Sequence, residues 1–202
     1  MGGPPPRPPL GLVDWTEFSS LVTYHQVVPL VRRSTWLAGL DLPAEVHDRL
    51  QASGRRVAAL GLRNLALLAE VTEALTTRGI EHLVLKGIPV AVWAYDDPLA
   101  RHGGDIDLIV RPADVAATGR LLMDMGFEAM SGPGTPYVPP DRVRVEDYPL
   151  ISELSLTGPR GFVDLHWRFF DYAHLLPVDP FAAASRRTVE VGGFEVHTLA
   201  EE

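Results

Sequence analysis

Gly103-Gly104-Asp105-Ile106-Asp107-Leu108-Ile109-Val110 is the stretch that most restricts the fold. An apolar run this short, bounded by a Gly pair, reads as a buried strand. Side chains two apart in a strand project from the same face. Asp105 and Asp107 therefore stand together on one face, while Ile106, Leu108 and Val110 bury the other. Neighbouring carboxylates repel unless a cation lies between them. Hard cations such as Mg²⁺ bind oxygen ligands, often one or two carboxylates together with substrate phosphates. A bare Asp-x-Asp is common at solvated strand ends, so the rest of the chain must decide between the two readings.

The 202 residues, 46% of them hydrophobic, suit one domain of ordinary size or one with a small appendage. A net charge of −8 argues against broad attraction to nucleic acid or an anionic membrane. There are no cysteines, hence neither disulfides nor thiolate metal sites. No apolar run is long enough to span a bilayer, and the Pro-rich N-terminus has no signal-peptide core, so the expected location is cytoplasmic. Of the 18 basic residues one, Lys86, is lysine and the other 17 are arginine. Arg does not replace Lys where a compact point charge on a slender stem is needed, which singles Lys86 out.

Along the chain, residues 1–12 form an expected disordered Pro/Gly-rich tail and residues 13–79 a helical segment. Asp14 caps a first helix that ends near Pro29, and Leu30–Leu40 is a weaker helical stretch. Pro43 opens a further helix, and Ala52–Arg78 carries the longest helical pattern, closed by Gly79. Residues 80–200 form the expected core. His82–Leu85 reads as a strand, Lys86-Gly87 as a turn, and Ile88–Tyr95 as a helix. Asp105–Val110 is then a strand and Arg111–Met125 a helix, with a brief strand at Phe127–Met130. Leu150–Thr157 and Gly161–Phe169 pair as antiparallel strands, and Thr188–Thr198 is a hairpin about Gly192-Gly193. In the second of the paired strands Phe162, Asp164, His166 and Arg168 share one face. A carboxylate such as Asp164, flanked by apolar residues, needs an edge, a hydrogen bond or a metal.

The strand–turn–helix ahead of the acids brings a backbone nest and a helix N-terminus, both anion-binding features. Gly87 admits a phosphate close to the main chain. Lys86 suits a phosphate as a point charge and Arg101 as a bidentate fork. His166 is placed to order a substrate or an Asp. Otherwise Lys86 and Arg101 are surface charges, His166 is a hydrogen-bonded sheet residue, and Asn64 is a polar helix-packing residue.

Gly87, Asp105-Ile106-Asp107 and Asp164 resemble the three motifs of the polymerase-β-like nucleotidyltransferase superfamily. More narrowly, Leu85-Lys86-Gly87, Arg101-x-x-Gly104-Asp105-Ile106-Asp107-Leu108, Gly126-Phe127 and Val163-Asp164-Leu165-His166-Trp167 resemble a bacterial family of largely uncharacterised nucleotidyltransferases. The resemblance runs from Tyr24 to Leu199. It implies an α+β fold, a mixed sheet with flanking helices, and transfer of a nucleotidyl group from an NTP such as ATP with Mg²⁺ or Mn²⁺. It implies a two-metal reaction: Asp105 and Asp107 hold the ion that carries the triphosphate, and Asp164 helps hold a second at the acceptor hydroxyl. Lys86, Gly87, Arg101 and His166 are the implied nucleotide-site residues. Some family members occur beside peptide natural-product biosynthesis genes, so natural-product or peptide modification and biosynthetic-cluster partners are among the implied contexts. The superfamily commonly has Gly-Ser or Gly-Gly where this chain has Lys86-Gly87-Ile88. Relatives usually continue into a C-terminal helical region, so a shortened protein is expected. The rival readings are a non-catalytic binding or scaffold relative, a toxin-like nucleotidyltransferase acting on tRNA, and a metal-dependent phosphohydrolase. Net charge −8 and the lack of basic clusters argue against the tRNA reading.

Overall fold

The computed structural model describes residues 11, 13–34, 39–40, 42–101, 103–131, 137–169 and 179–200. The expected tail lies almost wholly outside them. The chain divides into two compact units, Met1–Ala58 and Ala59–Glu202.

In the first unit, α1 spans Trp15–Tyr24 and α2 spans Val28–Arg33. Asp14 Oδ1 accepts from the amides of Thr16 at 2.9 Å and Glu17 at 3.0 Å, the expected cap. The break does not come at Pro29, as the sequence suggests. It comes at Gln26, whose φ of 56° is left-handed, and Pro29 sits inside the first turn of α2, where no amide hydrogen is required. Val22, Val28, Val46 and Leu50 form this unit's apolar cluster.

α3 runs unbroken for 34 residues, Ala44–Thr77, and contributes to both units. The sequence divides this stretch into two helices, and the structure joins them. Gly54 lies within the helix because the Arg32 side chain packs where a Cβ would stand.

In the second unit the elements are β1 (His82–Val84), α4 (Ile88–Tyr95), β2 (Asp105–Val110), α5 (Val115–Asp124) and β3 (Glu128–Ala129). They are followed by β4 (Glu153–Gly158), β5 (Gly161–His166), β6 (Arg186–Val191) and β7 (Phe194–Leu199). Five strands form one mixed sheet in the order β1-β2-β5-β4-β3, and β6 and β7 pair as a separate hairpin. β2 and β5 are parallel; the other neighbours are antiparallel. The fold is thus α+β, a mixed sheet with flanking helices.

One face of the sheet carries Ile106, Leu108, Val110, Val163 and Leu165 into a core shared with Leu67, Leu68, Val71 and Leu75 of α3 and with Leu121 and Leu122 of α5. Burial of these side chains, roughly 1.5–3 kcal/mol each, holds β2 and β5 against the helices. The opposite face carries the acids. Among the described residues no helix is long and apolar enough to cross a membrane.

Candidate active site

The parallel pairing of β2 with β5 places Asp107 opposite Asp164 and Asp105 opposite Phe162. Residues paired in this way share a face, so all three carboxylates project together. One carboxylate oxygen from each of Asp105, Asp107 and Asp164 lies within 4.8 Å of the other two. That spacing suits a hard divalent cation with oxygen ligands.

Asp107 is 1% exposed. Its Oδ1 accepts from Lys86 Nζ at 2.9 Å and lies 3.4 Å from His166 Nε2. Its Oδ2 is buried with no hydrogen-bond partner among the described residues. A buried anionic oxygen without a partner is costly and calls for a ligand. The residues therefore fit a divalent ion: three oxygen donors, one of them orphaned.

The three acids differ electrostatically. Burial pushes the Asp107 carboxyl upward, but the hydrogen bonds from His166 and Lys86 outweigh it and hold it below the ordinary range. Asp105 is pushed up, first by burial and then by the negative charge of Asp107, against the pull of Lys86. The hydrogen bond to Asp107 holds the Lys86 ammonium above its usual range. Lys86 is the cation that the paired acids require here.

Gly87 caps the N-terminus of α4 with φ 77° and ψ −118°, a conformation that L side chains rarely adopt. A Cβ there would approach the carbonyl oxygen of Asp105 at 4.0 Å, so the turn lies beside the acid strand. The Leu85 amide donates to the Asp107 carbonyl at 3.0 Å and extends the pairing of β1 with β2 past the end of β1. The sequence places Leu85 within the strand; the regular ladder stops at Val84.

Arg101 is exposed, and no hydrogen bond or ion pair joins it to the acids among the described residues. His166 orders Asp107 rather than Asp164. On its other side Nδ1 lies 3.0 Å from Glu153 Oε2, an ion-pair distance without hydrogen-bond alignment. Arg168 is structural: its Nη2 donates to the carbonyls of Tyr148 at 2.7 Å and Ile151 at 2.9 Å.

Sequence reasoning missed Glu153 and the function of Asn64. The tight Pro159-Arg160 turn pairs Glu153 with His166 and Ser155 with Asp164. Counting back from that turn would have found Glu153. Asn64, buried on α3, donates from Nδ2 to the Gly103 carbonyl at 2.6 Å and fixes the loop that enters β2. No local pattern signals that long-range bond.

A mixed sheet with three converging carboxylates, a lysine and a glycine turn is the kind of site that can hold a cation and a polyanion together. The family model described as "Uncharacterised nucleotidyltransferase" matches residues 12–202, and the chain belongs to that family. No curated protein matches the sequence. A solved structure of an antigenic nucleotidyltransferase-like protein from Paracoccidioides brasiliensis is similar to 67% of this chain at 20% identity, with a TM-score of 0.39. This chain spans 60% of that protein's length.

Proposed function

We propose that the protein is a metal-dependent nucleotidyltransferase that moves an NMP group from an NTP to a hydroxyl-bearing acceptor. The observation that carries this reading is the convergence of Asp105, Asp107 and Asp164 about the unpartnered buried Oδ2 of Asp107. Family membership supports the same reaction class.

Asp105 and Asp107 would hold the ion that accompanies the triphosphate, and Asp164 would join them in holding a second. Bound Mg²⁺ or Mn²⁺ supplies charge neutralisation at the phosphates and acidifies a nearby hydroxyl. The chain's own residues do the rest. Lys86 has a side chain 59% exposed, so its ammonium can turn from Asp107 to a phosphate without leaving the site. Gly87 leaves the main chain open to a phosphate at the start of α4. His166, braced by Glu153, keeps Asp107 in place. In the overall step the acceptor oxygen bonds to the α-phosphorus as the bond from that phosphorus to the bridging oxygen breaks. Pyrophosphate departs and the hydroxyl proton passes to solvent.

The test is incubation with each of the four NTPs labelled at the α-phosphate, with Mg²⁺ or Mn²⁺ and a host extract. Label joined to an extract component, lost in Asp107→Asn, is expected. Wild type and Asp107→Asn giving the same labelled products would refute the assignment.

A further inference from the structure

The sheet face beyond Asp164 carries a group that the reaction above does not use. Phe162 is 44% exposed, directly opposite Asp105 in the parallel ladder and two residues before Asp164. Among the described residues it is the one large exposed apolar side chain that lies in a strand of the sheet. Neighbouring strands are about 5 Å apart, so its ring borders the acids. On its far side Thr157 is its cross-strand partner, and Ser155 is the partner of Asp164.

Sidedness gives this face a meaning. Lys86 and Gly87 follow β1, on one side of β2; Phe162 and Asp164 stand on β5, on the other. In-line displacement sets the entering and leaving oxygens on opposite sides of the phosphorus. Phosphate-binding groups on the β1 side put the departing pyrophosphate there, which leaves the β5–β4 side to the acceptor. A cavity of about 330 Å³ lined by Leu85, Trp93 and Arg187 lies on the β1 side, and so does not serve the acceptor.

We propose that the β5–β4 face seats the acceptor by stacking one of its rings on Phe162, so that the acceptor is a neutral or cationic ring-bearing alcohol, a phenol or a sugar, with its hydroxyl toward Asp164. The proposal rests on the nucleotidyltransferase reading. An exposed aromatic face takes either ring type through stacking or C–H contacts. The hydroxyls of Ser155 and Thr157 offer polar contacts at the rim. Asp105, opposite Phe162, and Asp164, two residues on, put negative charge beside the ring, while Lys86 and His166 lie against Asp107, so before metal binds an anionic ring is disfavoured.

The test uses the full chain with no nucleotide and three probes: tyramine, a cationic phenol; methyl β-glucopyranoside, a neutral sugar; and 4-hydroxyphenylacetate, an anionic phenol. Saturation-transfer NMR titrations are run on wild type, Phe162→Ala and Phe162→Tyr, and Mn²⁺ binding is measured separately by calorimetry. Tyramine or the glucoside binding wild type, at least fivefold weaker in Phe162→Ala and within twofold in Phe162→Tyr, is expected. The bound probe's resonances should broaden when Mn²⁺ is added. Which of the two binds tells phenol from sugar, and 4-hydroxyphenylacetate should bind at least fivefold more weakly than that probe. If neither probe binds, if Phe162→Ala leaves affinity unchanged, or if bound Mn²⁺ leaves the probe unbroadened, the acceptor face is wrong while the transferase reading stands. Wild type that binds no Mn²⁺ overturns the transferase reading and the acceptor assignment with it.

Discussion

Replacing Asp107 by Asn should leave the metal-free protein about as stable as wild type while removing much of its response to divalent ions. The side chain keeps its shape. What is lost is an ion pair with Lys86, whose side chain is 59% exposed, and the charge that faces His166 Nε2 at 3.4 Å. Such a pair contributes at most about 1 kcal/mol. What is relieved is a carboxylate 1% exposed with one unpartnered oxygen, beside Asp105 and Asp164. Burying such a charge costs several kcal/mol before its partners offset it. The two changes oppose each other, so the net shift without metal should stay within about 1 kcal/mol. With metal the arithmetic differs. At a Mn²⁺ concentration of about 100 Kd, binding stabilises wild type by about 2.7 kcal/mol. A tenfold weaker variant at that concentration gains about 1.4 kcal/mol. For a chain of this size 1 kcal/mol moves Tm by about 2–4 °C, so the Mn²⁺-induced rise should fall from about 5–10 °C to about 3–5 °C. Scanning calorimetry of both proteins with and without Mn²⁺ reads it directly. Equal Mn²⁺-induced rises would refute the placement of the ion on β2. So would a loss of more than about 3 kcal/mol without metal, because the carboxylate would then be a structural group.

Two further outcomes follow from particular contacts. Lys86→Arg keeps the charge but replaces a point ammonium with a wider fork, and should weaken NTP binding about tenfold by calorimetry; unchanged affinity would make Lys86 a surface charge. His82, buried on β1 with Nδ1 on the Ile80 carbonyl at 2.9 Å, is held below its ordinary pKa chiefly by burial. The unfolded chain therefore binds its proton first as pH falls below about 6.5, and stability should drop with falling pH, by up to about 1.4 kcal/mol per unit. Denaturant titrations between pH 7.5 and 5 should show that slope in wild type and a flatter one in His82→Gln.

Local patterns carried the acid strand. The alternation of Asp105 and Asp107 with Ile106, Leu108 and Val110 follows from the period of a strand, and the hairpin about Gly192-Gly193, with φ values of 58° and 95°, follows from glycine's tolerance of positive φ. Lys86 stood out by composition alone, but its partner did not, because the Lys86–Asp107 pair depends on how β1 lies against β2. The parallel pairing that brings Asp164 beside Asp107 joins strands far apart in sequence, which no local signal encodes. The continuity of α3 was hidden for a different reason. The sequence pattern splits it ahead of Ala52, yet one helix runs through, with Gly54 and Gly61 at places where a side chain, Arg32 or Leu99, packs close to it. Tertiary packing overrode propensity there.

The most direct test is a paired measurement on wild type and Asp164→Asn: NTP affinity by calorimetry and transfer of α-phosphate label by mass spectrometry. Asp164, opposite Asp107 on β5, is on the side where the acceptor is proposed to sit, so its loss should act chiefly on the transition state. Transfer should vanish in Asp164→Asn while NTP affinity stays within a few-fold of wild type. Transfer at the wild-type rate in that variant, or no transfer by wild type to any component of a wide acceptor panel, would contradict the transferase reading and leave a nucleotide-binding relative without catalysis.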